Sequence, residues 1–263
     1  MRNCYRLSDV PMFSQLNSKT IEEIEKSGSY ITRKKGDFCF RANTRQDKVY
    51  ILMEGQVIWY TLTSEGIRKI IFVYGAGELL NQSIMNPEKT TISCELIRDS
   101  RIFTIDREKF LAIMKKDFEL TKVVISTQEK KIWRMTHQLQ NTLGSIYLEK
   151  KLAAKLWKLG RDFGIASETD KQEKADANSN NKASVISGSR VIDIQLSITF
   201  LADLLGAPRE TTSRICKSLV KKGLININKK TVEIPRMECL ASFYRNNCKV
   251  NGECDNCRNN CRE

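Results

Sequence analysis

The feature that most constrains the fold is a change of hydrophobic pattern near residue 106. Between residues 29 and 105, short runs rich in β-branched and aromatic residues alternate with turn residues such as Gly55, Gly66 and Gly75. Such runs, punctuated by glycine about every ten residues, predict an antiparallel sandwich or barrel. From 106 to 162 the chain contains no proline, and its pattern becomes helical. The chain therefore predicts an α+β protein in which a sheet region precedes a long helix.

Within the helical segment, apolar residues recur every seven positions. They are Ile125, Ile132, Leu139 and Ile146, with Met135 at an intervening position of the same stripe. A stripe at this spacing packs either on a second helix of the same kind or on its own domain. We expect it to pair two copies of the chain.

The C-terminal third contains a polar segment followed by two short helices and a hairpin. Residues 165–189 are rich in Ser, Asn, Lys and Asp and contain no aromatic residue, which predicts a flexible insertion. Residues 197–205 and 209–222 predict helices, and 224–234 predicts a hairpin. Two short helices joined by a glycine-containing turn are the sequence form of a helix-turn-helix.

The second of these helices carries side chains that can read DNA bases. An inward stripe of Thr212, Ile215 and Leu219 leaves a polar face outward. The candidate DNA-binding residues on that face are Arg209, Glu210, Ser213, Arg214 and Lys217. An arginine can hold O6 and N7 of guanine, and a carboxylate can accept from the N4 amino group of cytosine. The alternative is a solvated helix face with an ordinary ion pair between Glu210 and Arg214.

Positive charge is concentrated in the middle and C-terminal parts of the chain. The net charge of +13 divides into +2 for residues 1–106, +8 for 107–161, −2 for 162–195 and +5 for 196–263. Lysines near the second helix predict salt-dependent contacts with phosphates. They are Lys217, Lys221, Lys222, Lys229 and Lys230. On the long helix we expect Lys130, Lys131 and Arg134 to remain solvated.

The apolar stretches of the chain are short. Residues 70–74 form one of the longest, and the first residues lack the apolar core of a secretion signal. The sequence therefore predicts a cytoplasmic chain with no membrane partner.

A family resemblance begins at residues 209–214, which read RETTSR. With the basic helix end and the hairpin that follow, this segment resembles the winged helix-turn-helix of the CRP/FNR family of bacterial transcription regulators. The resemblance extends upstream through KKGDFCF at 34–40, KVYILMEGQV at 48–57 and GAGELL at 75–80. It covers roughly residues 13–240, and the order and spacing of the motifs make it specific.

The resemblance implies a domain organisation. Residues 1–115 would form a β-roll, a jelly roll similar to cyclic-nucleotide-binding domains, and 116–143 a long dimerisation helix. Residues 144–239 would form the winged helix-turn-helix with the flexible insertion at 165–189, and 240–263 a cysteine-rich tail. The implied partners are double-stranded DNA, RNA polymerase and a second copy of the chain, and no enzymatic activity is implied.

The same resemblance assigns roles on the recognition helix. Arg209, Glu210 and Arg214 match the family's base-contacting positions, and Ser213 matches a fourth reader of the FNR branch. The implied operator is a palindrome whose half-sites are related to TGTGA or TTGA. Pro208 departs from the pattern, because many members have a serine there that contacts a phosphate.

The sensor region lacks the cyclic-nucleotide contacts of the family. In the cAMP-binding members a Glu contacts the ribose and a later Arg-Ser pair holds the phosphate. The matching segments here read LNQS at 80–83 and KTTI at 89–92, which argues against cAMP. The candidate effector-pocket residues are Asn81, Gln82, Ser83, Lys89, Thr90 and Thr91. The single histidine, His137, argues against haem ligation and against His-based catalysis.

Four of the nine cysteines lie in the last sixteen residues. They are Cys248, Cys254, Cys257 and Cys261. Short, unequal gaps between cysteines are typical of iron–sulfur ligation, whereas zinc sites usually join two pairs across a longer loop. Some FNR-like regulators of Gram-positive bacteria carry such a cluster in a C-terminal extension. We predict an iron–sulfur (4Fe-4S) cluster, with zinc, a thiol–disulfide switch and an unliganded tail as alternatives.

The remaining cysteines are scattered along the chain. Cys39, Cys94 and Cys216 follow apolar patterns and predict buried small side chains. Cys4 stands alone, and Cys239 offers a further thiol close to the tail.

The sequence predicts a dimeric transcription regulator that reads a palindromic operator and responds to redox state or oxygen through its C-terminal cysteines. The alternative is a regulator of the same family that is gated by a small apolar or anionic effector in the β-roll, with a structural zinc tail.

Overall fold

The structure, a computed structural model, describes residues 4–85, 88–143, 147–166 and 188–245, without the side chains of 139–143. The chain divides into two compact units, Met1–Leu139 and Gln140–Glu263. The four tail cysteines, Ile146 and most of the insertion at 165–189 lie outside the described residues.

The N-terminal unit is built on two antiparallel sheets. Helix α1 (Ser18–Ser27) precedes the strands. These are β1 (Gly28–Arg33), β2 (Phe38–Phe40), β3 (Lys48–Glu54), β4 (Gln56–Leu62), β5 (Arg68–Gly75), β6 (Ser93–Leu96) and β7 (Ser100–Asp106). One sheet has the order β1-β7-β3 and the other β2-β6-β4-β5. The antiparallel β architecture predicted from the glycine-punctuated runs is confirmed.

Strand β3 is buried on both faces because it separates two apolar clusters. Val49, Ile51 and Met53 point into a cluster shared with the helices of this unit. Leu52, on the opposite face, joins the cluster between the sheets, and Tyr50 packs against that cluster. This alternation follows from the two-residue period of a strand, and it explains why the run is almost continuously apolar.

The predicted helical segment consists of three helices. They are α2 (Arg107–Lys116), α3 (Phe118–Leu143) and α4 (Leu148–Phe163). Asp117 separates the first two, and its carboxylate accepts from the amide of Glu119 at 2.8 Å, as a helix-capping residue does. The Thr20 hydroxyl also donates to this carboxylate and, as the main cause, lowers the pKa of Asp117.

The C-terminal unit combines helices with a small antiparallel sheet. After α4 it contains β8 (Gly164–Ala166), β9 (Arg190–Ile192), α5 (Ile198–Leu205), α6 (Arg209–Lys221), β10 (Asn226–Asn228), β11 (Thr231–Ile234) and α7 (Met237–Tyr244). The strand order is β10-β11-β9-β8, and β8 pairs directly with β9 on either side of the insertion.

Helix α7 extends the packed unit into the segment predicted as tail. Leu240, Ala241 and Phe243 are buried, and the helix packs against α4. The first residues of the predicted 240–263 tail are therefore helical, because their apolar side chains have a surface to cover. No helix in the described part of the chain has the length and apolarity that crossing a membrane requires.

Candidate nucleic-acid interface and sensor core

The first helix of the helix-turn-helix, α5, is capped at both ends. The Ser197 hydroxyl accepts from the amide of Phe200 at 3.1 Å and caps the start of α5. The helix ends at Gly206, whose φ of 71° is left-handed and whose amide donates to the Ala202 carbonyl at 2.8 Å. Glycine adopts this conformation without strain, so the chain reverses within three residues and α6 begins at Arg209.

The inner face of α6 differs from the predicted stripe at one position. Thr212, Cys216 and Leu219 are buried, and the Thr212 hydroxyl donates to the Pro208 carbonyl at 3.0 Å. Ile215, which was expected to face inward, is only partly buried. Cys216, which the apolar pattern predicted to be buried, lies on this face in its place.

The outer face of α6 presents the predicted DNA-binding side chains to solvent. Arg209, Glu210, Arg214 and Lys217 are exposed and Ser213 is half-buried. At about 100° per residue the five positions fall within an arc of about 140° that does not overlap the arc of the buried residues. Among the described residues, Glu210 and Arg214 form no ion pair with each other, so the guanidinium and the carboxylate both remain available. The arrangement suits insertion of the helix into a major groove.

Lys222 has a packing role in place of the predicted phosphate contact. Its Nζ lies 2.7 Å from both carboxylate oxygens of Glu149 in α4 and 4.9 Å from the ring of Phe243 in α7. The two side chains of the ion pair are only 28% and 24% exposed. The other lysines of the predicted group, including Lys229 and Lys230 in the hairpin turn, are exposed.

The predicted effector residues come together, but the polar groups of several of them are already engaged in hydrogen bonds within the roll. Asn81 is buried, and its amide donates to Gln46 Oε1 at 2.9 Å and to the Lys48 carbonyl at 2.8 Å. Its Oδ1 accepts from the Tyr50 amide at 2.7 Å. Every hydrogen-bonding group of the Asn81 side chain is therefore engaged in holding β3, and the residue stabilises the fold.

Gln82 joins the loop at 81–85 to the loop before β6. Its Oε1 accepts from the Thr90 hydroxyl at 2.7 Å and from the Thr91 amide at 3.1 Å, while its Nε2 donates to the Thr91 hydroxyl at 2.9 Å. Lys89 and Ser83 are exposed. This closed network leaves Lys89 as the charged member of the predicted set on the surface.

The prediction that Lys131 and Arg134 remain solvated on α3 is wrong. Lys131 is 3% exposed, and its Nζ donates to the carbonyls of Leu79 at 2.7 Å and Asn81 at 2.9 Å. Burial lowers the pKa of Lys131 to about 7. Arg134 reaches Glu78 at 3.5 Å. The inner face of α3 is thus fastened to the β-roll by charged side chains, whereas Lys130 is exposed as predicted.

The cationic groups of Lys131 and Arg134 lie against a cluster of aromatic rings. The rings of Trp59 and Tyr74 meet edge-on at 5.0 Å, and Lys131 Nζ lies 5.0 Å from the Trp59 ring. The Arg134 guanidinium lies 5.4 Å from the Tyr74 ring. The buried Tyr74 hydroxyl forms no hydrogen bond among the described residues. The core between the roll and α3 is therefore rich in cations and hydrogen-bond donors.

The polar residues of α3 that contact the roll lie at helical spacing in the sequence. Lys131, Arg134 and Gln138 follow one another at helical spacing, and Gln138 Nε2 donates to the Ile71 carbonyl at 3.1 Å. Polar residues at that spacing ordinarily mark a solvated face, so the contact could not be read from the pattern.

The opposite face of α3 exposes large apolar side chains. Ile125, Ile132 and Met135 of the predicted stripe are 51%, 60% and 39% exposed, and Phe118 extends the stripe by one heptad with 70%. No element of the described residues covers this stripe. His137 lies outside the stripe, exposed, with its ring 4.1 Å from that of Trp133.

The cysteines among the described residues form no cluster that could ligate a metal ion. Cys4, Cys94 and Cys216 are buried, and Cys39 and Cys239 are half-buried. No group of three or more His, Cys, Asp or Glu side chains that could hold a metal ion occurs within the described ranges.

Comparison with known families supplies the deciding observation. Residues 31–117 match the cyclic nucleotide-binding domain family, and residues 150–243 match the Crp-like helix-turn-helix domain family. The chain belongs to the CRP/FNR family. It is a transcription regulator with a DNA-binding helix-turn-helix.

Relatives within the CRP/FNR family match nearly the whole chain. The CRP-like cAMP-activated global transcriptional regulator of Mycobacterium tuberculosis is 21% identical over 240 residues, covering 91% of this chain and 98% of that protein. The anaerobic regulatory protein of Bacillus subtilis is 24% identical over 259 residues, covering 95% of each. The solved structure of FixK2 from Bradyrhizobium japonicum has a TM-score of 0.65 at 17% identity and covers 82% of this chain and 96% of its own.

Proposed function

We propose that this CRP/FNR regulator binds a palindromic operator as a homodimer and responds to redox state or oxygen through an iron–sulfur cluster held by the tail cysteines. The observation that carries the DNA-binding part is the outward face of α6. On this face Arg209 and Arg214 offer two guanidinium groups to guanines, and Glu210 offers an acceptor to cytosine. The half-sites we expect are related to TGTGA or TTGA.

The exposed stripe of α3 supports dimerisation. Apolar side chains at 118, 125, 132 and 135 repeat at the spacing of a coiled-coil seam, so two copies can bury them against each other. A two-fold dimer would present two α6 helices to half-sites about one helical turn, roughly 34 Å, apart. As a transcription regulator the dimer would act together with RNA polymerase.

The iron–sulfur part of the proposal rests on the donor set and on the position of the tail. Cys248, Cys254, Cys257 and Cys261 supply the four thiolates that a 4Fe-4S cluster requires. The four tail cysteines follow α7, whose Tyr244 packs against Trp157 of α4 at a ring distance of 5.9 Å. A cluster bound there would supply an oxygen-sensitive centre attached to the DNA-binding unit.

The Bacillus subtilis relative adds support for this assignment. The match covers 95% of this chain. The uncovered 5% is shorter than the segment after residue 245, so the match extends into that segment. The relative is named as an anaerobic regulator. A response to oxygen is the function that such a name and a compact run of four cysteines favour together.

Purification without oxygen tests the cofactor directly. We expect a coloured protein that contains iron and sulfide, and a change in operator affinity on exposure to air. In Cys254→Ser and Cys257→Ser the iron and the oxygen response should be lost, while Cys4→Ser, the matched control outside the tail, should retain both. Zinc without iron or sulfide, or a metal-free protein with unchanged DNA affinity in air, would contradict the cluster.

A second candidate is favoured by the core between the roll and α3. Lys131, Arg134 and the Tyr74 hydroxyl, which has no hydrogen-bond partner within the described ranges, offer donors and positive charge that suit a small anionic effector. Under this alternative the tail holds structural zinc. Replacement of the tail cysteines would then leave the response to signal intact, while Lys131→Met would abolish it.

A further inference from the structure

Two cysteines that are distant in sequence lie side by side in the β-roll. Phe38 pairs with Glu95 and Phe40 with Cys94, so two steps along β2 match one step along β6. Cys39 is the additional residue of a β-bulge opposite Cys94. A side-chain hydrogen bond joins the two thiols, so the two sulfur atoms that a disulfide would link are already neighbours.

Both side chains belong to the same apolar cluster. Cys94 is fully buried in the cluster between the sheets, and Cys39 packs against that cluster while remaining partly exposed. Among the described residues both are free thiols. One thiol is therefore reachable from solvent and its neighbour is sheltered behind it.

The sheltered thiol lies next to the anchor of α3. Cys94 pairs in register with Trp59 on β4, and the Trp59 ring lies 5.0 Å from the Lys131 ammonium group. A line of contacts thus runs from the bulge at Cys39, across the sheet, to the helix that carries the exposed apolar stripe.

We propose that Cys39 and Cys94 form a reversible disulfide when the protein meets a peroxide, which makes the β-roll a thiol-based redox site. This site uses neither the tail cysteines nor an iron–sulfur cluster, and it does not rest on the oxygen response proposed above.

The chemistry needs one equivalent of peroxide. The Cys39 thiolate attacks one peroxide oxygen and breaks the O–O bond, giving a sulfenic acid and hydroxide, which takes up a proton as water. The Cys94 thiol then attacks the Cys39 sulfur, so that an S–S bond forms, the S–O bond breaks, and the departing hydroxide takes the proton of the Cys94 thiol and leaves as a second water. The two thiols are oxidised by two electrons and the peroxide is reduced to two waters. A dithiol reductant reverses the step by thiol–disulfide exchange.

The different surroundings of the two thiols set the order of the steps. Burial, and next a hydrogen bond to Cys39, raises the pKa of the Cys94 thiol well above its ordinary value. Cys94 is therefore a poor first nucleophile, and the partly exposed Cys39 reacts first while Cys94 resolves the sulfenic acid.

Digestion with trypsin places Cys39 and Cys94 on separate peptides, so a disulfide between them can be detected by mass. Cleavage after Lys35 and Arg41 releases residues 36–41, and cleavage after Lys89 and Arg98 releases residues 90–98. Each peptide contains a single cysteine. After treatment with stoichiometric hydrogen peroxide and alkylation of the remaining thiols, mass spectrometry should show the two peptides joined, two hydrogens lighter than their sum, and separated again by dithiothreitol.

Two variants and a second readout complete the test. Cys39→Ser should abolish the linked pair, whereas Cys216→Ser, which removes a buried thiol of the other unit, should leave it unchanged. Hydrogen exchange of α3 around Lys131 should rise in the oxidised wild type and stay constant in Cys39→Ser. The proposal is overturned if both peptides are recovered alkylated, if Cys39 is found joined to a tail cysteine, or if exchange in α3 does not change on linkage.

Discussion

Replacing Lys131 by methionine tests the packing of α3 on the β-roll. Burial lowers the pKa of Lys131 from 10.5 to about 7 in the folded chain. Between these values the unfolded chain binds more protons than the folded chain, so the free energy of unfolding rises with pH across this window. At about 1.36 kcal/mol per pKa unit, the rise between pH 7 and pH 9 is about 2 kcal/mol. Below pH 7 the penalty is fully present, and above pH 10.5 it is gone.

In Lys131→Met this rise should vanish because the side chain no longer titrates. The carbonyls of Leu79 and Asn81 lose their donor, at a cost of about 1–3 kcal/mol each if they stay dry. As the pH falls from 9 to 7, the free energy of unfolding should therefore decrease more in wild type than in the variant, whatever the absolute stability of the variant.

Urea unfolding at pH 7, 8 and 9 measures this difference. In a Trp157→Phe background the fluorescence of Trp59 and Trp133 reports on the N-terminal unit alone. If wild type and Lys131→Met show the same dependence on pH, the buried ammonium group is not the cause and the account of this core is refuted.

Four further substitutions, one of them with a matched control, test other parts of the account. Ile132→Glu should convert the dimer to a monomer in analytical ultracentrifugation, whereas Lys130→Glu, also exposed on α3 but off the stripe, should not. Lys222→Ala should lower the thermal stability of the C-terminal unit by about 1 kcal/mol, because it breaks a partly buried ion pair, yet leave the salt dependence of DNA binding unchanged. Lys221→Ala should reduce the slope of log affinity against log salt by about 1. Arg214→Ala should cost about 1–3 kcal/mol at a specific operator, as measured by anisotropy titration.

The order of elements could be predicted because local patterns specify it. Glycine-punctuated strands, a proline-free helical stretch and a Gly-containing turn between two helices each depend on nearest-neighbour chemistry, and the structure confirms all three. On α6 the same reasoning placed the charged residues outward, although it assigned Ile215 to the face that Cys216 occupies.

The contacts that depend on tertiary pairing could not be predicted. The amphipathic pattern of α3 shows two faces but not which of them meets the roll, so Lys131 and Arg134 were assigned to solvent. The proximity of Cys39 and Cys94 results from a bulge between strands more than fifty residues apart in sequence, and Lys222 contacts Glu149 across a similar separation. The cluster on the tail cysteines stays a prediction.

Selection of operators from random duplex DNA tests the central claim most directly. The full-length chain, prepared without oxygen, should enrich two inverted half-sites related to TGTGA or TTGA about one helical turn apart. Arg209→Ala and Arg214→Ala should relax the preference at the guanines of each half-site. Enrichment of sequences without two-fold symmetry, or a preference that survives both substitutions, would contradict the claim that a dimer reads DNA through the outward face of α6.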